Sequence, residues 1–588
     1  MHGQKGISVI EVLLAAAMFV IFATGGVTII LQGFDMNRNG TETVVATQYA
    51  SEGIEALRSI KNQNFSLLSN NSNTGIIRNI NNVWSYDGSN NVWGRYTRTL
   101  SISDVYRDGT GNIVASGGTL DALSKKIAST VAWNFTNSRP QTVTLISYLT
   151  NWRGGKKGIL VYSNGSMTSD LIQYQIFDGT TWSTTQSTAD IDSATTNRYL
   201  RIARVYASPT RNEKIMVSRH YNGTTQYIYS QVFDGTNWGN VQLLSSWNAT
   251  NFVDVQNFDA TYLNNGDLMV VFSDNTITPK FRTWNGSVWS AQVSLNVLPG
   301  TPLHVEIEQR PGTNEIMAAF LDSANDTLTE YFNGGAYSTA NWSTRTSHAT
   351  NTVTTSERLI GFKWNINTPT TGALFYATGT NDKRNNGKIY IANGTGGGAW
   401  AGAAVRAVTQ ANNLGSMKII SHPTRNEFLA CNKDGASSPT IVCRQLTFSG
   451  TTATWVTPIN PIVAPSTDTG IQASFGLNYE IGSSAQALIT YGDNTNIPKY
   501  KLFNPLTSTI SASATIINTA PYTLGSPIRT VREIVEPIGG SIMTIFTDNN
   551  LDLYSTVWNG SFSSITQHGQ NGSVNTDYWY DFVWDANY

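Results

Sequence analysis

Lys5-Gly6-Ile7 and Glu11 are the residues of this chain whose types and spacing point most directly to chemistry. A carboxylate lies five residues beyond a glycine that ends a short basic leader, and from Val12 to Leu31 no charged side chain follows. At about 1.5 Å per residue, such a stretch is long enough as a helix to cross the hydrocarbon of a bilayer. An ionisable group at that depth is costly without a partner, so Glu11 reads as a functional residue. Scission between Gly6 and Ile7 would create an amino group on Ile7 able to neutralise a carboxylate on a neighbouring copy. The acid would then set the register of subunits in a bundle. A secretory signal peptide and a plain membrane anchor share the basic start and the apolar core, but neither has a use for Glu11.

The run Lys5-Gly6, Ile7-Ser8-Val9-Ile10-Glu11-Val12 and the apolar segment after it resemble the N-terminus of the type IV prepilin family, pseudopilins of type II secretion included. The resemblance implies cleavage after Gly6 by a prepilin peptidase, N-methylation of Ile7 and use of Glu11 as the assembly carboxylate. It implies other pilin subunits and a pilus or secretion assembly machinery as partners. It also implies a single-pass location in the bacterial cytoplasmic membrane before assembly, and an extracellular filament or cell surface after it. Ile7 stands where the family usually has Phe, and Gly25-Gly26 lie in the span where many members carry a helix-breaking Pro.

Elsewhere the sequence offers little catalytic chemistry. The six histidines are scattered, with no His-Glu-x-x-His run and no Gly-x-Ser-x-Gly elbow. Gly394-Thr395-Gly396-Gly397-Gly398 is rich enough in glycine to suggest a phosphate loop but opens no helical pattern, so it reads as a connection between strands. Acidic turns such as Ser273-Asp274-Asn275, Asp322–Asp326, Gly492-Asp493-Asn494 and Asp548-Asn549-Asn550 offer oxygen ligands, yet they recur where hairpin turns are expected anyway. Asp178-Gly179-Thr180-Thr181-Trp182 lacks the residue that separates Asp from Gly in the sialidase Asp box. The expectation is therefore no catalytic residue, no metal, no cofactor and no enzyme activity. Cys431 and Cys443, the two cysteines, flank a Gly-Ala-Ser-Ser-Pro turn. They suit either a cross-strand disulfide outside the cytoplasm or two buried thiols.

These residues need elements to hold them. Through Thr43–Ile60, Val44, Val45, Ala50, Ile54, Leu57 and Ile60 recur at three- and four-residue intervals, which extends the helix as an amphipathic stalk. Its apolar stripe needs a sheet, and strands are expected at Tyr96–Tyr106, Lys126–Phe135 and Thr142–Thr150, a small sheet of the kind pilin-like proteins pack on the helix. Beyond Gly154-Gly155 the composition shifts to Thr, Asn, Ser, Gly and aromatics, and a repeat begins. Phe177-Asp178-Gly179 with Trp182, Phe233-Asp234-Gly235 with Trp238, Trp284-Asn285-Gly286 with Trp289, and Trp558-Asn559-Gly560 with Phe562 belong to a series spaced by about 48–60 residues, the length of a four-stranded propeller blade. Each Asn-Gly or Asp-Gly would close the hairpin between a blade's last two strands. Pro209–Glu213, Pro311–Glu315 and Pro423–Glu427 mark the turn between the first two, and Asn264–Asp267 holds the same phase.

The repeat region starts at Gly158–Val161 without a first strand and ends at Tyr580–Asp585 with nothing after a first strand. A closed ring resolves both ends and removes exposed edges. The fold expected is mixed: leader 1–6, membrane and assembly helix 7–31, helical extension 32–62, pilin-like β domain 63–155, and an all-β propeller of about eight blades, 156–588, closed by the C-terminal strand. With 38 Lys and Arg against 39 Asp and Glu, nucleic acid is not an expected partner. The function expected is a minor pilin or pseudopilin subunit whose propeller serves adhesion or ligand binding, with a glycan or cell-surface ligand. The alternative is a membrane-anchored propeller glycosidase or lectin that uses the helix only as an anchor.

Overall fold

The computed structural model describes residues 8–586, apart from 64, 80–82, 109–111, 116, 137, 151–156, 164–170, 193–197, 250–254, 351, 353–357, 379–385, 395, 403, 407–413, 435–439, 457–461, 464–474, 482–484, 512–514, 538, 571 and 573–577. Two compact units make up the chain, Met1–Trp152 and Arg153–Tyr588.

The first unit is built on one helix, α1, at Val9–Gln63. Ser8 and Glu11 start it as a capping box: the Ser8 hydroxyl oxygen accepts the Ile10 N–H at 3.3 Å, and Glu11 Oε2 accepts the Ser8 N–H at 3.1 Å. The helix runs through Gly25-Gly26 without a break. Its first half presents large apolar side chains at the surface, with Phe22 79% exposed. In the second half Ala46, Ala50, Ile54, Leu57 and Ile60 form a buried stripe. Val44, expected on that stripe, is 56% exposed, because two residues before Ala46 is about 200° around the helix.

An antiparallel sheet covers the stripe, in the order Asn71–Thr74, Tyr96–Arg107, Thr119–Thr136, Arg139–Thr150. All three expected strands are present, each longer than the apolar pattern indicates, the first by a single residue. Leu100, Ile102 and Ile127 pack on Ile54, Leu57 and Ile60. At Gly53 a side chain would meet Ser129 Oγ at 2.5 Å and Leu100 Cδ2 at 2.8 Å, so the glycine permits the close approach of helix to sheet.

The second unit is a propeller of eight antiparallel blades. In the second blade Tyr199–Ala207, Lys214–Tyr221, Thr225–Phe233 and Trp238–Asn248 pair in chain order from the axis outward, and the other blades repeat the scheme. Second strands are buried along their whole length, as at Gly158–Tyr162, Leu268–Phe272 and Ala487–Tyr491, and read as apolar runs because both faces meet a neighbouring blade. The first blade takes its innermost strand from the C-terminus: Tyr580–Trp584 pairs with Gly158–Tyr162, Tyr580 opposite Tyr162 and Trp584 opposite Gly158. Closure by the last strand is thus as the sequence indicates. Innermost strands also touch each other around the ring, with the Ala203 N–H donating to Tyr578 O at 2.9 Å and the Met417 N–H to Arg358 O at 3.0 Å.

Candidate functional site: the helix acid and the propeller channel

Gly6 and Ile7, the expected cleavage and methylation positions, lie outside the described residues. Glu11 sits in the first turn of α1, where one carboxylate oxygen caps the helix. Among the described residues no cation pairs with it. Glu42, on the same helix, is buried and fully engaged. Its Oε1 meets Arg38 at 2.9 Å and Arg95 at 2.8 Å, and its Oε2 accepts the Trp133 indole N–H at 3.0 Å. Nothing in the helical period distinguishes Glu42 from an exposed acid; only the sheet brings Arg95 and Trp133 to it.

The repeated motifs of the propeller are structural. Gly179, Gly235, Gly286 and Gly560 hold φ between 79° and 106°, the left-handed turn conformation that glycine adopts freely. Asp178 accepts the Thr180 and Thr181 N–H groups at 2.8 and 2.7 Å, which holds its carboxyl well below the usual carboxylate range. Trp238, Trp284 and Trp342 are buried in blade cores. The Pro-Thr-Arg-Asn-Glu turns end in acids that tie one blade to the next. Glu213 accepts the Tyr262 O–H at 3.0 Å and the Trp284 N–H at 3.2 Å, and Glu427 accepts the Tyr479 O–H at 3.4 Å.

Acidic turns and histidines are likewise committed to the fold. Asp322 accepts the N–H groups of Gly300, Ala324 and Asp326, and Asp548 those of Asn550 and Asp552. His568 lies 2.6 Å from Ser555 and 2.8 Å from Gln175, His348 lies 2.8 Å from Thr329, and burial pushes the pKa of each down to about 3. Each packs edge-on against a tryptophan of the following blade, Trp182 or Trp400, at 4.4 Å. Gly397 N–H donates to Asn393 Oδ1 at 3.1 Å in the fifth blade's outer hairpin, a strand connection as expected. Cys431 and Cys443 stand opposite each other on adjacent strands of the sixth blade and are joined as a disulfide.

One cluster escaped the sequence reading. The innermost strands enclose an axial cavity of about 390 Å³ to which all eight blades contribute. Arg358 pairs with Glu306 at 2.9 Å, Lys363 with Glu308 at 2.5 Å, and Arg532 with Asp581 at 3.1 Å. Asp259 accepts the Tyr206 O–H at 2.7 Å and the Ile307 N–H at 3.0 Å. Arg204 is bonded to Gln256 and to Ala203 O; Lys418 donates to Phe475 O, Val531 O and Tyr578 Oη at 2.6, 3.1 and 3.2 Å. Neither of these two cations has a carboxylate at ion-pair distance among the described residues. Glu533 accepts the N–H and O–H of Thr490 through Oε1, and burial pushes its pKa up to about 8. The sequence does hold a signal for this site. A charged residue interrupts the apolar innermost strand of repeat after repeat, as Arg204, Asp259, Lys418, Arg532 and Asp581 do.

No family model matches the chain, and no curated protein matches it in sequence. Solved structures similar to it include the periplasmic gluconolactonase PpgL of Pseudomonas aeruginosa, at 11% identity over 63% of this chain and 97% of that one, with a TM-score of 0.36. The fucose-specific lectin of Aleuria aurantia matches at 12% identity over 64% and 97%, with a TM-score of 0.32. The β-propeller domain of the Trilobed protease of Pyrococcus furiosus matches at 8% identity over 62% and 98%, with a TM-score of 0.33. Similarity at this level says nothing about activity.

Proposed function

We propose that this protein is a pilin-like subunit, a minor pilin or pseudopilin, cut after Gly6, inserted in the membrane through the first half of α1 and assembled into a filament, with the propeller as its extracellular ligand-binding domain. The observation that carries this reading is Glu11: an acid with no cation partner among the described residues, one turn into a helix whose apolar half is exposed and long enough to cross a bilayer. A terminal ammonium at Ile7 of an adjoining subunit would supply the missing charge. The second half of the same helix, docked on its own antiparallel sheet, supports the reading further. Its partners are then a prepilin peptidase, other pilin subunits and the assembly machinery. We read the propeller as a binding domain without enzymatic role; the bonding of His348, His568, Asp322 and Asp548 within the fold supports that reading.

Sequencing of the mature N-terminus tests the proposal. A start at Ile7 in the native chain and an unprocessed chain in Gly6→Val are expected; a mature start elsewhere overturns it. A membrane-anchored lectin or glycosidase is the second reading, and the axial cavity favours it to the extent that a ligand can enter there. Release of fluorophore from a panel of glycosides by the full-length protein would establish the glycosidase form.

A further inference from the structure

We propose that the axial cavity of the propeller is a binding site for a small organic carboxylate, the size of one acidic sugar residue, held by Arg204, Lys418 and Arg532 around the ring of Tyr578. The inference concerns the propeller alone and stands apart from filament assembly.

Three observations point to it. The first is convergence: Arg204 and Arg532 lie with their guanidinium carbons 5.0 and 4.9 Å from the centre of the Tyr578 ring, and Lys418 Nζ lies 5.8 Å from the same centre. These cations come from three different blades, the second, the eighth and the sixth, so only the closed ring brings them together. Like charges gathered in a low-dielectric cavity repel, and an anion relieves that repulsion.

The second is incomplete pairing. Arg532 reaches Asp581 through Nη2, while Nη1 is buried and has no hydrogen-bond partner. Glu533 Oε2 is buried and unpartnered as well. Both residues line the cavity. An unmet donor and an unmet carboxyl oxygen in one cavity suit a ligand bearing both a carboxylate and a hydroxyl: the carboxylate accepts from Arg532 Nη1, and the hydroxyl meets Glu533. Guanidinium groups are the side chains best matched to carboxylates.

The third is charge and size. Arg358, Lys363 and Arg532 pair with Glu306, Glu308 and Asp581, and Asp259 is held by Tyr206 and the Ile307 N–H. Against five cations and four carboxylates beside Glu533, a surplus of one positive charge is left, and neither Arg204 nor Lys418 has a carboxylate at ion-pair distance among the described residues. Burial, with the neighbouring Arg532 charge, pushes the pKa of Arg204 down to about 10 against the opposing pull of Asp581. A volume of about 390 Å³ lies at the lower end of the roughly 300–1,000 Å³ of small-molecule sites, which excludes a large ligand from the interior.

The test is calorimetric titration of the full-length protein in a sugar-free, non-ionic detergent at pH 6.5, with glucuronate, acetate and citrate as carboxylate probes and glucose as the neutral control. Saturable binding of glucuronate, with glucose at least tenfold weaker, is expected. Arg204→Gln, which leaves no carboxylate unpaired, should weaken glucuronate at least tenfold while leaving the melting curve intact. Arg532→Lys retains a charge beside Asp581 and should weaken binding by a smaller factor. A glucuronate-terminated disaccharide separates the sources: binding of both forms assigns the terminus of a glycan, and binding of the monosaccharide alone assigns a free acid. Equal affinity for glucuronate and glucose, an unchanged affinity in Arg204→Gln, or no heat with any carboxylate on a folded protein would each overturn the proposal. An unprocessed N-terminus together with intact glucuronate binding would remove the filament reading and leave this one standing.

Discussion

Glu11 and Glu42 lie on one helix, and the difference between their surroundings shows how a protein makes the same side chain structural or available. Around Glu42 the fold supplies two guanidinium groups and an indole N–H, so a buried carboxylate is satisfied within its own subunit. Around Glu11 the described residues supply only the backbone N–H of Ser8. The apolar side chains in the first half of α1 are exposed, whereas the stripe of the second half is covered by a sheet. An acid provided for by its own chain fixes a fold; an acid left unprovided in a membrane-length helix calls for a partner from outside.

Removing Glu42 breaks the comparison most severely. Glu42→Ala leaves the buried Trp133 indole N–H without an acceptor and takes the shared carboxylate from Arg38 and Arg95. Both arginines are half exposed, so water recovers part of the loss, and a cost of about 2–3 kcal/mol to the first unit is expected. Glu42→Gln keeps an acceptor for Trp133 and should cost about half as much. Chemical denaturation followed by hydrogen exchange at the amides of the first unit measures both. Equal stability of the alanine variant and the native chain would show that the cluster is not what holds helix to sheet.

Much of this architecture was legible in the sequence because its signals are local. Apolar period, glycine turns and the missing first strand at Gly158 are all contained within a few tens of residues, and they gave the helix, the three sheet strands, eight blades and closure by Tyr580–Trp584. What stayed hidden depends on distant partners. Glu42 reads as an ordinary helix acid until Arg95 and Trp133 arrive, and Val44 was misplaced because a three-to-four spacing tolerates two registers of the stripe. Glu213 and Glu427 were legible as ends of turns but not as ties to the next blade. The cavity was hidden most completely. Arg204, Lys418 and Arg532 lie more than a hundred residues apart from one another, and only ring closure places them around Tyr578.

Glu533 is a third kind of acid, enclosed by protein yet without a countercharge in contact, and it sharpens the comparison by answering with a proton. Lys418 of the sixth blade is the cation that faces it among the described residues, and Thr490 of the seventh blade is its hydrogen-bond donor. Its folded pKa, about 8, stands above the ordinary 4.5. The group therefore contributes stability in full below about pH 4.5 and loses that contribution as the pH rises through about 8. Glu533→Gln is neutral throughout, so its stability should gain on the native one between pH 5 and pH 9, by about 4 kcal/mol at the upper end. Parallel melting curves across that range would mean that Lys418 already compensates an ionised carboxylate.

The smallest effect on stability is expected at Glu11, and there the two parts of its role can be separated. Glu11→Gln keeps a side-chain oxygen able to accept the Ser8 N–H, so the capping box survives and helix stability should change by well under about 1 kcal/mol. The negative charge is lost all the same. If the carboxylate serves only to start the helix, the glutamine chain should behave as the native one in every assay. If it meets a terminal ammonium of an adjoining subunit, Glu11→Gln should be processed and inserted normally yet absent from sheared surface filaments. Immunoblotting of shear fractions against membrane fractions distinguishes the two. Glu11→Ala, which loses cap and charge together, should show the same defect; a normal glutamine chain beside a defective alanine chain would assign the acid to capping alone.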